Sequence, residues 1–142
     1  MKKIHFEQSL GHLFHIIILE MRSQLEKELK AFGVTNHQFG TLLLISKLGS
    51  LTQRQISEAT VGDEGLTSRL IGRLINKKVV KKQKNPDDRR QQLVSLTIKG
   101  EELLQQIIPL AIKGNQKVEE LIDDNEYRTL LKILNKIKAG IR

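Results

Sequence analysis

Cationic side chains concentrate in one short part of the sequence. Residues 69–90 hold nine Lys or Arg against two Asp, a net charge of +7 within 22 residues. The other 120 residues hold 15 basic and 14 acidic side chains, so they supply only +1 of the total charge of +8. Lys and Arg at phosphates release condensed counterions, and a localised basic surface is therefore typical of a polyanion site. The alternative is a solvated charged stretch without a partner.

The end of this basic segment has the sequence of a hairpin with cations at its tip. The residues NPDD at 85–88 favour a turn, because proline fixes one backbone angle and Asn or Asp side chains bond their own backbone. The two candidate strands around it are residues 79–84 and 93–96. A hairpin tip can lay a cation into the narrow, electronegative minor groove of DNA. We therefore expect Arg90 to be the probe, with Arg89 beside it and Asp88 holding the Arg90 guanidinium.

Ahead of the hairpin, the spacing of apolar residues predicts a fourth helix with two different faces. Its buried stripe is predicted to be Thr67, Leu70, Ile71 and Leu74, at steps of three and four. The opposite face then carries Gly65, Ser68, Arg69, Gly72 and, at its edge, Arg73. Each glycine costs about 1 kcal/mol of helix propensity relative to alanine. Small residues and arginines therefore suit close approach to another molecule better than plain exposure to solvent.

Short capped helices are predicted before this fourth helix. Gly33 is predicted to end the first helix, and Thr35 to cap a second helix that runs to Leu48. Thr52 is predicted to cap a third helix that runs to about residue 60, with Ile56 and Ala59 facing inward. A turn at 61–63 follows, and Asp63 is predicted to cap the fourth helix.

Long amphipathic helices are predicted at both ends of the chain. The first covers residues 5–32; Thr97 caps a fifth over 98–122, which Pro109 should kink because proline lacks the helix donor; residues 123–126 have capping-box spacing and begin a last helix. Their combined apolar surface is too large for a small middle domain to cover. We therefore expect a homodimer, the commonest closed oligomer. The alternative is an intramolecular cluster of three helices in a monomer.

Composition excludes several classes of function. The chain has no cysteine, so disulfides, thiolate zinc sites and thiol redox switches are excluded. The longest apolar run, residues 16–19, is too short to span a bilayer, and we expect a cytoplasmic protein of one domain. No phosphate-binding glycine loop or catalytic triad pattern is present, and we predict neither an enzyme nor a cofactor. His12 and His15 have a spacing that can hold zinc, but without a third ligand we predict no metal.

The order of these elements, two short helices, a basic hairpin and flanking long helices, predicts a winged helix-turn-helix. The stretches LTQRQISEA (51–59), TSRLIGRLINKK (67–78) and above all NPDDRRQQLVSLTIKG (85–100) resemble the MarR family of winged-helix transcription regulators. The resemblance implies a mainly α fold with a small β-hairpin wing. It implies a single domain, 1–142, with residues 35–97 as the winged helix-turn-helix core and 1–34 and 98–142 as dimerisation helices.

The resemblance also implies a function. It is that of a homodimer on a pseudo-palindromic double-stranded operator, usually a repressor released by a small ligand, whose pocket lies between the dimer helices and the winged domain. The residues expected to bind DNA are Thr52, Gln53 and Arg54 at the start of the third helix, Gly65, Ser68, Arg69 and Arg73 in the fourth, and Asp88, Arg89 and Arg90 in the wing. Of these, Thr52 and Gln53 match positions that usually touch the phosphate backbone.

Three positions depart from the family pattern. Leu66 stands where Thr or Ser is usual, Asp63 and Glu64 add negative charge at the start of the fourth helix, and Val79 replaces the usual glycine after two lysines. The turn into the hairpin must then be made without a left-handed glycine.

The alternative function is a winged-helix interaction module whose basic face binds an acidic protein partner.

Overall fold

Short side chains that cap helix ends set most element boundaries in the computed structural model, which describes residues 5–60 and 62–141. Within those residues the elements, in chain order, are a 3-10 turn at Phe6–Gln8, α1 (Leu10–Lys30), α2 (Asn36–Leu48), β1 (Leu51–Thr52), α3 (Gln53–Ala59), α4 (Glu64–Asn76), β2 (Val80–Lys84), β3 (Gln92–Leu96), α5 (Ile98–Glu119) and α6 (Asp124–Ile141). The turn predicted at 61–63 includes Val61, which lies outside the described residues.

The predicted caps are confirmed. Thr35 and Thr52 each accept a hydrogen bond from the backbone N–H three residues on, at 3.2 Å, and the glutamine at that position accepts from the N–H of the cap. The caps of α4, α5 and α6 are Asp63, Thr97 and Asp123, which accept from Leu66, Gly100 and Glu126. Each cap satisfies a backbone donor that would otherwise lack a partner at a helix start.

The first helix begins later than predicted. Ser9 has an extended backbone and its hydroxyl accepts from the N–H of His12 at 3.2 Å, so α1 starts at Leu10 and residues 6–8 form a separate turn. At its other end the N–H of Val34 reaches the carbonyl of Leu29, and Gly33 has φ +64° as predicted for a terminating glycine. The fifth helix is also shorter than predicted and ends at Glu119. Pro109 lies inside it, and the kink there stays a prediction.

Helix α3 buries Ser57 beside Ile56, whereas the prediction was Ala59. Ile56 is fully buried, as expected, but Ala59 is exposed and Ser57 is buried in its place. The buried side follows residues 53, 56, 57 and 60, so Ala59 falls on the outer side of this short helix. The Ser57 hydroxyl is satisfied because it donates to the Gly62 carbonyl at 2.8 Å.

The turn from α4 into the wing is made by Lys78, one position before Val79, where the family pattern has a glycine. Lys78 adopts a left-handed backbone with φ +61°, and the N–H of Val79 reaches back to the Leu74 carbonyl at 3.2 Å. This closes α4 as a glycine would, at a cost of roughly 1–2 kcal/mol for a residue with a Cβ. Val79 itself is buried, which suits an apolar side chain.

The wing is part of a three-stranded sheet and not an isolated hairpin. Its strand order is β1-β3-β2, with both pairs antiparallel. Strands β2 and β3 pair from Val80 opposite Leu96 to Lys84 opposite Gln92. The two-residue strand β1, which the sequence did not predict, places Leu51 opposite Val94 and Thr52 opposite Leu93.

The apolar core lies in the middle of the chain and takes in only the inner ends of the long helices. From α1 it includes Leu29, and from α5 it includes Leu104 and Ile107. The fourth helix contributes Ile71 and Leu74 as predicted, with Thr67 buried and Leu70 packed at the edge. No residue of α6 is buried within the described part of the chain. None of the helices described here has the length and apolar character needed to cross a bilayer.

Gly100 sits where a side chain has no room. A Cβ at this position would fall on the carbonyl oxygen of Val79, at the point where β2 begins next to α5. Gly40, exposed in the middle of α2, has no heavy atom within 4 Å of the place its Cβ would take. We predict that Gly100→Ala lowers the free energy of unfolding by about 1–3 kcal/mol through overpacking. We predict that Gly40→Ala raises it by about 0.5–1 kcal/mol through helix propensity.

Urea denaturation of the two variants beside the wild type measures both effects. Equal stability of the Gly100→Ala variant and the wild type would contradict the close approach of α5 to the start of the wing.

Candidate nucleic-acid interface

Helix α4 presents the predicted face to solvent. Gly65, Ser68, Arg69 and Arg73 are exposed, and Gly72 is half-buried with no heavy atom within 4 Å of a Cβ built on it. The stripe that holds α4 in place lies on the opposite side. The exposed face therefore combines two arginines with stretches of bare backbone, which allows another molecule to approach the helix closely.

The start of α3 is fixed by its own cap and by a bond to α4. Because the Thr52 oxygen accepts from Gln55, its hydroxyl proton remains free to donate to an outside acceptor. The Gln53 side-chain amide donates to the carbonyl of Glu64 at 3.4 Å, so the first turns of α3 and α4 are joined. Thr52 and Gln53, the two predicted phosphate contacts, thus lie next to the N-terminal end of α4.

Arg54 is engaged within α3. Its Nε donates to Glu58 Oε1 at 2.9 Å, one turn further on, and both side chains are well exposed. The hydrogen bond to Glu58 and its negative charge raise the pKa of the Arg54 guanidinium above its ordinary value. An exposed ion pair of this kind contributes little to folding stability. The Arg54 guanidinium can therefore leave Glu58 and bind a phosphate with little loss of stability.

The wing carries its cations on an exposed edge. Val80 anchors β2 in the core, and the rest of the strand, Lys81, Lys82, Gln83 and Lys84, is exposed. At the tip the Asn85 side chain accepts from the N–H of Asp87 at 3.0 Å, and the N–H of Asn85 donates to the Gln91 carbonyl at 2.9 Å. Arg89 and Arg90 are both exposed at this turn.

Asp88 has a different contact from the one predicted. Its Oδ1 accepts from the backbone N–H of Arg90 at 3.0 Å, whereas the prediction placed it on the Arg90 guanidinium. An aspartate readily bonds the backbone two residues on, and this local bond stabilises the turn itself. Asp88 therefore shapes the tip, and the Arg90 side chain is exposed for an outside acceptor.

Strand β1 joins the two groups of predicted DNA-binding residues. Pairing of Thr52 with Leu93 attaches the start of α3 to the base of the wing. Gln53 connects the same turn to α4. The helical group and the wing are thus held on one framework, with Arg89 and Arg90 at the far end of the hairpin.

One of the nine cations is used inside the molecule. The Lys77 ammonium donates to the carbonyl oxygen of Gly33, 44 residues away, where it meets the C-terminal end of α1. Beside this bond lies an open cleft of about 360 Å³. Its lining comes from the ends of α1 and α4 and the start of α5: Phe32, Lys77, Val79, Lys99, Glu102, Leu103 and Gln106. Local sequence patterns missed this site because its residues come from three distant segments.

His12, one of the two histidines considered as zinc ligands, has an aromatic neighbour. The His12 ring packs against Phe6 with 4.6 Å between ring centroids. Among the residues that the structure describes, no group of three or more His, Cys, Asp or Glu side chains is placed to hold a metal.

Comparison with known proteins gives one family. A family model described as the MarR family matches residues 32–91. The HTH-type transcriptional regulator BilQ of Clostridioides difficile (strain CD3) is 29% identical over 137 residues, which cover 96% of this chain and 92% of BilQ.

Solved structures agree with the fold. A cysteine-to-serine variant of Escherichia coli MarR in complex with operator DNA superposes with a TM-score of 0.84 at 26% identity, covering 96% of this chain and 99% of that one. Bordetella bronchiseptica BpsR, whose DNA binding is regulated by 6-hydroxynicotinic acid, gives a TM-score of 0.84 at 25% identity, covering 94% and 96%. The mainly α fold with a small wing is therefore confirmed.

Proposed function

We propose that the chain is a transcriptional regulator of the MarR family and that it binds a pseudo-palindromic double-stranded operator as a homodimer. It acts as a repressor in the cytoplasm, where operator DNA lies, and a small ligand releases it. Its relatives are transcriptional regulators and not enzymes, and the chain is not an enzyme. The observation that carries this proposal is the exposed face of α4, where arginines alternate with bare backbone beside a basic wing.

Helix α4 enters the major groove in this proposal. A helix fits that groove, and arginine is the side chain that most often reads guanine there. Arg69 and Ser68 contact the floor or wall of the groove, and Arg73 follows one turn later. The first turn of α3, with Thr52, Gln53 and Arg54, contacts the adjacent phosphates. The operator complex of a similar protein supports this arrangement.

The wing contacts the neighbouring minor groove. Arg90 enters it, Arg89 follows the phosphates, and the lysines of β2 add positive charge along the same edge. Asp88 takes part through the turn that it stabilises. Together these contacts place about six phosphates against cations in each half-site, which gives a slope of log K against log salt of about −5 per half-site and about −10 for the dimer.

We predict that Arg90→Ala weakens operator binding and lowers the magnitude of the salt slope by about 1 per half-site. Arg69→Ala costs about 1–3 kcal/mol and relaxes specificity at one base position. Fluorescence anisotropy with labelled duplexes over a range of salt concentrations measures both.

The matched control is Arg22→Ala, at an exposed arginine of α1. Unchanged affinity of the Arg90 variant would remove the wing from the mechanism. Equal binding to duplex and to an acidic polypeptide would favour the protein-interaction module.

Dimerisation follows from apolar surface that one protomer leaves uncovered. Large apolar side chains that are 39% or more exposed are Leu10, Leu13, Ile16, Ile17, Ile18 and Leu19 in α1, and Leu130, Leu131, Ile133 and Ile141 in α6. Because no residue of α6 is fully buried by the described part of its own chain, a second copy is the partner that can cover its apolar side chains. Residues 35–97 then form the DNA-binding core, and the helices on either side form the dimer.

We predict that Leu130→Glu turns the dimer into a monomer, because it places a charge in this apolar surface. Light scattering after size exclusion at micromolar protein measures the mass. The salt slope of DNA binding should fall to that of one half-site. Leu48→Glu, at an exposed apolar residue at the end of α2, is the matched control and should remain a dimer. A wild-type protein that elutes as a monomer would contradict the dimer.

The cleft beside Lys77 is the proposed effector site. Lys77 and Lys99 against Glu102 give it a net positive charge, and Phe32, Val79 and Leu103 supply an apolar wall. This combination favours a small organic anion. A ligand there acts by binding more tightly to a dimer conformation in which the two α4 helices have one spacing than to a conformation with another spacing. Only such a difference in affinity shifts the equilibrium between the two conformations. Regulation of BpsR by 6-hydroxynicotinic acid supports this class of ligand.

We predict that 6-hydroxynicotinic acid or benzoate at millimolar concentration weakens DNA binding of the wild type, and that Lys99→Met removes this response. The reason is the loss of a cation from the cleft. Anisotropy titrations with and without the acid measure it, with Lys113→Met as the matched control at an exposed lysine of α5. A response that persists in the Lys99 variant would place the effector elsewhere.

A further inference from the structure

Leu66 presents an uncovered apolar side chain in the middle of a polar surface. It is 56% exposed, and among the described residues between Gly49 and Thr97 it is the one large apolar side chain with such exposure. The other exposed large apolar residues lie in the 3-10 turn, in helices α1, α2, α5 and α6, and at Leu121 between α5 and α6. Apolar surface for dimerisation therefore does not account for Leu66, which belongs to the proposed DNA-binding core.

The side chain lies on the part of α4 that approaches DNA in the proposed function. Leu66 is the third residue of α4, next to the bare backbone of Gly65, and Arg69 and Arg73 follow at steps of three and seven on the same side. Its N–H donates to Asp63 Oδ1 at 2.7 Å, which fixes the first turn. In helix-turn-helix proteins the N-terminal residues of the recognition helix contact base edges.

The first turn of α4 carries negative charge that disfavours a phosphate beside it. A helix N-terminus ordinarily attracts phosphate through its free N–H groups. Here the carboxylate of Asp63 already accepts from one of those groups, and Glu64 adds a second negative charge. A phosphate is repelled from the same place, so the first turn of α4 faces the groove floor in preference to the backbone.

The apolar feature of the major groove is the C5 methyl group of thymine. We propose that Leu66 reads a thymine in each half-site by covering this methyl group, so that the operator carries a thymine that the arginines do not specify. This inference rests on the proposed binding of duplex DNA by α4. It makes Leu66 a specificity-determining residue, in which an aliphatic side chain replaces hydrogen bonding as the means of recognition.

The test begins with an operator selected from a pool of duplexes with a randomised centre, using the full-length protein. Each thymine of the selected duplex is then replaced singly by deoxyuridine, which changes only the methyl group. One thymine in each half-site should respond, with binding about fourfold weaker, the factor expected when one buried methyl group is lost. Replacement in both half-sites of the dimer should weaken binding by roughly fifteenfold, the product of two such factors.

Leu66→Ala completes the comparison. This variant should bind the thymine operator more weakly than the wild type and should lose the response to deoxyuridine at the same position. Leu48→Ala, which removes an exposed leucine from α2, should keep the full response. Selection repeated with the Leu66 variant should give an operator in which that thymine is no longer required.

Three results would overturn the inference. One is a deoxyuridine profile that is the same for the wild type and the Leu66 variant, while salt-dependent operator binding persists; the proposed function then stands without a role for Leu66. Another is a change in the oligomeric state of the Leu66→Ala variant, which would assign the side chain to a contact between copies. The third is failure of the wild type to select any duplex at low salt, which would remove the proposed function as well.

Discussion

The position of helix α4 relative to the long helices depends on contacts at its C-terminal end. There Lys77 donates to the Gly33 carbonyl at the end of α1, and Thr97 at the start of α5 donates through its hydroxyl to the Lys78 carbonyl at 2.6 Å and through its N–H to the Val79 carbonyl at 3.1 Å. The end of α1 thus holds Lys77, and the start of α5 holds the next two residues, Lys78 and Val79. Any shift of α1 or α5 is transmitted to α4, because hydrogen bonds and close packing leave little slack between them.

Charged side chains in residues 35–97, the proposed DNA-binding core, have two different roles. Three of the five acidic side chains bond the chain itself: Asp63 caps α4, Asp88 stabilises the wing turn and Glu58 pairs with Arg54. Most of the cations are exposed, and among the described residues of this segment Arg54 and Lys77 are the two whose side chains bond the chain itself. Residues 35–97 hold 11 Lys or Arg against five Asp or Glu, a net charge of +6, so the carboxylates offset less than half of the positive charge. The core therefore keeps a basic surface although it contains carboxylates.

Most of what the sequence predicted correctly depends on neighbours in the chain, and the contacts between distant segments were missed. Caps such as Thr52 and Asp63 involve residues three apart, so their pattern is visible in one dimension. Strand β1 has two residues and no periodicity to detect, and it exists because β3 lies beside it. The partner of Lys77 is 44 residues away, which no local pattern could indicate. Asp88 was assigned the wrong partner because backbone and guanidinium are equally near in sequence, and geometry favoured the backbone.

The outer strand of the sheet has a consequence for solubility. Strand β2 pairs with β3 on one side only, so its other side offers unpaired backbone groups on which a strand of another molecule could extend the sheet. Three lysines along this strand make two such edges repel each other. The lysines that oppose aggregation through the wing are the same ones that bring positive charge to DNA in the proposed function, so these charges have two roles.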